Sequence, residues 1–166
     1  TLFTGLMALG AVSFRLWFTP VPVTLQVFVM LVSGMVLGSR WGAICQAQYL
    51  LLGAMGLPIF SGFTGGPAVL AGPTGGYLFG FVIGAYVSGL VFEHLRDRTA
   101  FAPWAAGIAG IAATYAMGAS WLSFWFGSIG GSVSVWQLGV APFIGIDLLK
   151  TALASAVVTG GRRLKS

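Results

Sequence analysis

The chain has 166 residues, 57% of them hydrophobic and 7% charged, against about a quarter charged in an ordinary soluble domain. So little polar surface cannot coat a water-soluble fold, and the length allows one compact bundle with no separate soluble domain. The net charge of +5 comes from eight Lys/Arg against three acids, scattered between long apolar runs, so it reads as membrane-edge charge and excludes nucleic acid as a partner.

Apolar stretches of roughly 17–25 residues suffice to cross a bilayer. They predict an all-α integral membrane bundle of six transmembrane helices at about 2–18, 22–38, 41–57, 75–94, 102–121 and 137–160. The first stretch lacks the basic start of a signal peptide and is followed by further spans, so it counts as a helix of the mature bundle. It ends in the run Thr19-Pro-Val-Pro-Val-Thr-Leu-Gln26, where Pro20 and Pro22 break the helix and stiffen an extended turn. Thr24 and Gln26 offer donors and acceptors there. Thr24 also suits the N-cap of the next helix.

The second and third spans are joined only by Ser39-Arg40 and form a tight antiparallel pair. The third carries Gln46, Gln48 and Tyr49, read as interhelical hydrogen-bond partners. Its Cys45 is the single cysteine, a packing residue that permits no disulfide within the chain. The span stops at Gly56-Leu57-Pro58.

The following run, Gly62 to Tyr77, holds two Gly-Gly pairs and two prolines. Glycine lets backbone approach a ligand closely. No Gly-Lys-Ser/Thr closes the run, and no Lys or Arg lies between Arg40 and Arg96, so a nucleotide is excluded. Two readings stay open: a tight loop with Thr74 capping the next helix, or a substrate-facing lip with Tyr77 aimed into a cavity. Glu93, His94, Arg96, Asp97 and Arg98 form a short charge cluster, a solvated loop or a docking surface. Trp17, Trp41, Trp104, Trp121, Trp125 and Trp136 fall mostly near span ends, as an interfacial belt requires.

The last span holds Asp147 and Lys150, whose i, i+3 spacing puts both on one helix face. Each charge costs at least about 2.5–3.5 kcal/mol at a bilayer centre, so both must point into the bundle. They act there as a self-satisfied ion pair or as a ligand site. The chain's three acids and one histidine are spread apart, and it contains no Gly-x-Ser-x-Gly and no Cys/His pairing. Neither catalysis nor a metal or cofactor is expected.

Six spans leave both termini on one side with Arg40, Arg96, Arg98, Arg162, Arg163 and Lys165, against Arg15 on the other. By the positive-inside rule both termini are cytoplasmic. The 19–24 turn, the 58–74 loop and the 121–136 stretch then face outside, toward the half of the last helix that carries Asp147 and Lys150.

The runs Pro20–Gln26, Leu50–Pro58, Gly72–Phe81 and Pro142–Lys150 together resemble the BioY family, the biotin-specific substrate-binding S components of energy-coupling factor (ECF) transporters. The likeness extends from about residue 2 to 160. It implies a six-helix S-component fold in the cytoplasmic membrane, with biotin as transported ligand held near the outer surface. It also implies a transmembrane T component and two cytoplasmic ATPase subunits as partners, and inward delivery by toppling of the bundle. Asp147 and Lys150 fall where the family contacts biotin. Tyr77, Thr74, Gln26, Thr24 and Phe60 complete the expected site, with apolar walls from Tyr77, Phe60, Trp121 or Phe143. The family often docks its T component through Ala-x-x-x-Ala on the first helix; the nearest match here is Thr4-x-x-x-Ala8, with Gly5 beside it. Other readings are an S component for thiamin or riboflavin, a partner-independent biotin transporter, a membrane enzyme with Asp147 as general base, and a structural subunit whose ion pair serves packing.

Overall fold

The computed structural model describes residues 2–14, 17–130 and 134–163. In chain order the elements are α1 (Leu2–Gly10), β1 (Ser13–Phe14), β2 (Val23–Thr24), α2 (Gln26–Leu37), α3 (Ser39–Ala54), α4 (Pro67–Ala71), α5 (Gly75–Leu95) and α6 (Ala102–Ser128). A π-helical turn (Trp136–Val140) then runs into α7 (Ala141–Arg163). Arg15 and Lys165, and the side chains of Arg162 and Arg163, lie outside the described parts.

Among the described residues, three helices are long and apolar enough to cross a membrane: α5, α6 and the continuous segment Trp136–Gly161. At ~1.5 Å per residue, the 21 residues of α5 reach about 31 Å, the thickness of a hydrocarbon core. The earlier helices are shorter. The expected helix at 2–18 stops at Gly10, and the chain continues as a short antiparallel ribbon with Ser13 opposite Thr24 and Phe14 opposite Val23. Pro20 and Pro22 forbid a helical return, so α2 starts at Gln26, later than the 22 expected, with the Leu25 N–H donating to Gly10 O at 3.0 Å. At its other end, α6 continues past the expected 121 to Ser128.

The α2–α3 junction is a single residue, Gly38, at φ 89°. Ser39 and Arg40 already belong to α3. A side chain at Gly38 would meet the carboxylate of Glu93, which instead closes the start of α3: the Ser39 N–H donates to Oε1 at 2.8 Å and the Ser39 hydroxyl to Oε2 at 3.0 Å. Glu93 is therefore a cap joining α5 to α3, rather than part of a solvated loop.

Helix α7 is polar inward and apolar outward. Asp147, Lys150, Thr151 and Ser155 are buried, while Leu148, Leu149, Leu153 and Val157 are exposed. Lipid solvates the outer leucines, and only the bundle interior can solvate the charges. The interior is built on Met30, Leu31, Phe81, Ala85 and Ala154. Helices α5 and α6 meet backbone to backbone: a Cβ on Gly84 would sit 2.3 Å from Thr114 Oγ1 and 2.9 Å from Gly110 O. Small residues permit such contact where water supplies no drive for helix association. Polar links tie α2 and α3 as expected, with Gln46 Nε2 donating to Ser33 Oγ at 2.9 Å. Thr4 is buried with its hydroxyl 3.3 Å from both Cys45 O and Gln48 Oε1, so it packs on α3, while Gly5 beside it is exposed and Ala8 is half-buried.

Candidate ligand-binding cavity

Where α1 ends and α5 and α7 begin, the ribbon and the loop 57–74 enclose a cavity of about 770 Å³. Every side chain expected to bind substrate lines it: Thr24, Gln26, Phe60, Thr74, Tyr77, Asp147 and Lys150. They come from four separate stretches of chain, and the fold gathers them at one end of the bundle.

Asp147 and Lys150 are 4% and 6% exposed. Lys150 Nζ donates to Asp147 Oδ1 at 2.6 Å. The other carboxylate oxygen, Oδ2, accepts from Tyr115 OH on α6, also at 2.6 Å. The pair is bonded without being saturated. Each carboxylate oxygen has a further lone pair, and the ammonium has further protons to donate. Such a pair in a low-dielectric wall is a strong recognition element for a neutral group that carries both donors and an acceptor.

Tyr77 stands on the first turn of α5 with its ring against Gly118, where a Cβ would lie 2.4 Å from the ring. Its hydroxyl donates to Gly139 O at 2.7 Å. Thr19 Oγ1 donates to the neighbouring carbonyl, Leu138 O. The π-helical turn therefore presents consecutive carbonyls to the side chains that shape the cavity, a common placement for π-turns at functional sites. Thr74 precedes α5 but its side chain makes no capping bond, which leaves it to the cavity wall. Thr24 is not the N-cap expected, since that position falls on Leu25 and carries no side-chain capping bond; its hydroxyl accepts the Gln26 backbone N–H at 3.3 Å, and it lines the cavity.

Phe60, Tyr77 and Phe143 supply aromatic wall, as expected. Trp121 does not. Its Nε1 donates to Gly72 O at 2.9 Å and its Cβ packs where a side chain on Gly76 would be, so it buttresses the loop from behind. Trp17 lines the mouth and is 95% exposed. Sequence reasoning missed Tyr115, Phe81 and Ser61, all in the lining. The Ser61 hydroxyl is buried with no hydrogen-bond partner among the described residues. A lone tyrosine amid the glycines and alanines of α6 carried the only advance signal for Tyr115.

The BioY family model matches residues 1–166 of the chain. The biotin transporter BioY of Thermotoga maritima is 45% identical over 166 residues, covering 99% of this chain and 94% of that protein. A probable biotin transporter BioY of Pyrococcus horikoshii is 38% identical, covering 92% and 87%. The crystal structure of the S-component for biotin from an ECF-type ABC transporter superposes with a TM-score of 0.86 at 26% identity, over 98% of this chain and 87% of that one. The chain is a multi-pass membrane protein and belongs to the BioY family.

Proposed function

We propose that this chain binds biotin in the cavity and carries it across the cytoplasmic membrane as the substrate-specific S component of an ECF-type transporter. The observation that carries this reading is the unsaturated Asp147–Lys150 pair in the wall of a cavity otherwise framed by Phe60, Tyr77 and Phe143. Biotin's ureido ring offers N–H donors and a carbonyl acceptor side by side. Asp147 accepts from the N–H groups and Lys150 donates to the carbonyl. The aromatic residues enclose the sulfur-containing ring, and Thr24, Gln26 and Thr74 offer neutral polar groups along the wall. The anionic tail points to the water-facing mouth. The 770 Å³ volume lies within the ~300–1,000 Å³ typical of small-molecule sites.

Six crossings follow from α1, α2, α3, α5, α6 and α7, with the short first three aided by the ribbon and adjoining loops. Both termini are cytoplasmic. This is supported by Arg40, Arg96 and Arg98, which all sit at the end of the bundle opposite the cavity, where α2 and α5 finish. The chain is a carrier and not an enzyme. A T component and two cytoplasmic ATPase subunits supply the energy, since no nucleotide-binding motif occurs in this sequence.

The test is calorimetric titration of the purified, detergent-solubilised chain with biotin, beside Asp147→Asn. Tight binding by the wild type and its loss in the variant is the expected result. A folded wild type that takes up no biotin would overturn the reading.

A further inference from the structure

Behind the cavity wall, one buried hydroxyl joins two parts of the site that are far apart in sequence. Tyr49 is 0% exposed and is absent from the lining. Its hydroxyl donates to Ile59 O at 2.9 Å, the carbonyl next to Phe60. The same oxygen accepts from Gln26 Nε2. The Tyr49 ring meets Phe60 edge-on at 5.4 Å, and Phe60 in turn occupies the space a side chain on Gly53 would need.

The proton inventory of this chain of bonds decides its direction. A phenol has one proton, and here it is spent on the Ile59 carbonyl. The Tyr49 oxygen can then only accept from Gln26, so the Gln26 amide must present its NH2 to Tyr49. Its Oε1 has no protein partner among the described residues and is the acceptor left for the cavity, which Gln26 lines. We infer that Tyr49 is a positioning residue: through its hydroxyl it fixes the amide orientation of Gln26 and ties that side chain to the loop carrying Phe60, so that ligand contact at Gln26 and closure of the 57–66 loop are one coupled event.

This rests on the biotin reading above and goes beyond it, because Tyr49 touches no ligand. Tyr49→Phe keeps the ring and its packing on Phe60 and removes only the hydroxyl. Loss of a buried hydrogen bond to a side chain that must choose between two amide orientations weakens binding by about tenfold.

The decisive experiment is a double-mutant cycle of Tyr49→Phe with Gln26→Met, reading biotin affinity by calorimetry and biotin-dependent hydrogen exchange of the 57–66 amides. The expected results are about tenfold weaker binding in each single variant, little further loss in the double, and a 57–66 loop that biotin no longer protects in Tyr49→Phe. A purely structural tyrosine would give losses that multiply and would leave the ligand-dependent protection in place; that result overturns the proposal. So does Tyr49→Phe binding within twofold of wild type. A wild type that binds no biotin would instead overturn the biotin reading, and this proposal with it.

Discussion

Tyr115 and Asp147 face each other across the α6–α7 interface, hydroxyl to Oδ2 at 2.6 Å, while Lys150 holds Oδ1 from one turn along α7. The carboxylate is thereby gripped from two helices. Its plane is set before any ligand arrives, and the remaining lone pairs keep a fixed direction. Preorganisation of this kind lowers the ordering cost of binding.

Tyr115→Phe removes the α6 half of that grip without opening a cavity. Biotin affinity should fall about tenfold, the loss of one charge-assisted hydrogen bond, with the fold retained. Calorimetry beside circular dichroism checks it; unchanged affinity would show that Lys150 alone orients the carboxylate.

Asp147→Asn strands a buried ammonium. Breaking such a pair from one side costs about 3–5 kcal/mol, whereas replacing both partners is nearly neutral. Asp147→Asn should therefore lower the unfolding temperature in detergent markedly. Asp147→Asn with Lys150→Met should recover most of the stability and none of the binding. A double variant that still binds biotin would remove the pair from the site.

Gly139→Ala places a methyl group 2.3 Å from Tyr77 OH. The tyrosine must move, losing its bond to the Gly139 carbonyl and displacing its ring in the cavity wall. Binding should weaken more than in Tyr77→Phe, which loses the hydroxyl but keeps the ring in place. Equal affinities for the two variants would mean the wall tolerates the shift.

Glu93→Ala uncaps α3 at the end of the bundle opposite the cavity. Losing a cap costs about 1 kcal/mol. Thermal unfolding should report that loss while biotin affinity stays within twofold of wild type. A large change in affinity would reveal communication along the whole bundle.

Sidedness can be read with thiol probes after Cys45, which is buried, is replaced by serine. Phe63, 79% exposed in the cavity-end loop, and Arg98, beyond the other end of α5, are suitable labelling positions. A membrane-impermeant reagent applied to intact cells should label Phe63→Cys and spare Arg98→Cys. The reverse pattern would invert the proposed topology.

Asp147 and Lys150 were legible in the sequence because charge inside an apolar run has no inexpensive alternative to facing inward. Thr24 and Gln26 were legible from the prolines that precede them. Tyr115 was not, because its role depends on the rotation of α6 against α7, set by contacts such as Gly107 on Thr151, which no local pattern encodes. The end of α1 at Gly10 was hidden for a related reason: a continuous apolar stretch has the same composition whether it coils or extends. Trp121 lay close enough in sequence to suggest a wall residue, but the side of α6 it occupies sends its indole to Gly72 O. Thr4 and Ala8 matched a spacing, yet the spacing alone could not say whether the edge met α3 or a partner.

The glycine contact between α5 and α6 bears on how cargo moves. Backbones that approach closely at Gly84 and Gly110 leave no side-chain layer between α5 and α6 to shear, so these two helices resist sliding past each other. In the proposed carrier, α5 and α6 would therefore move as one stiff unit, carrying the aromatic chamber with them.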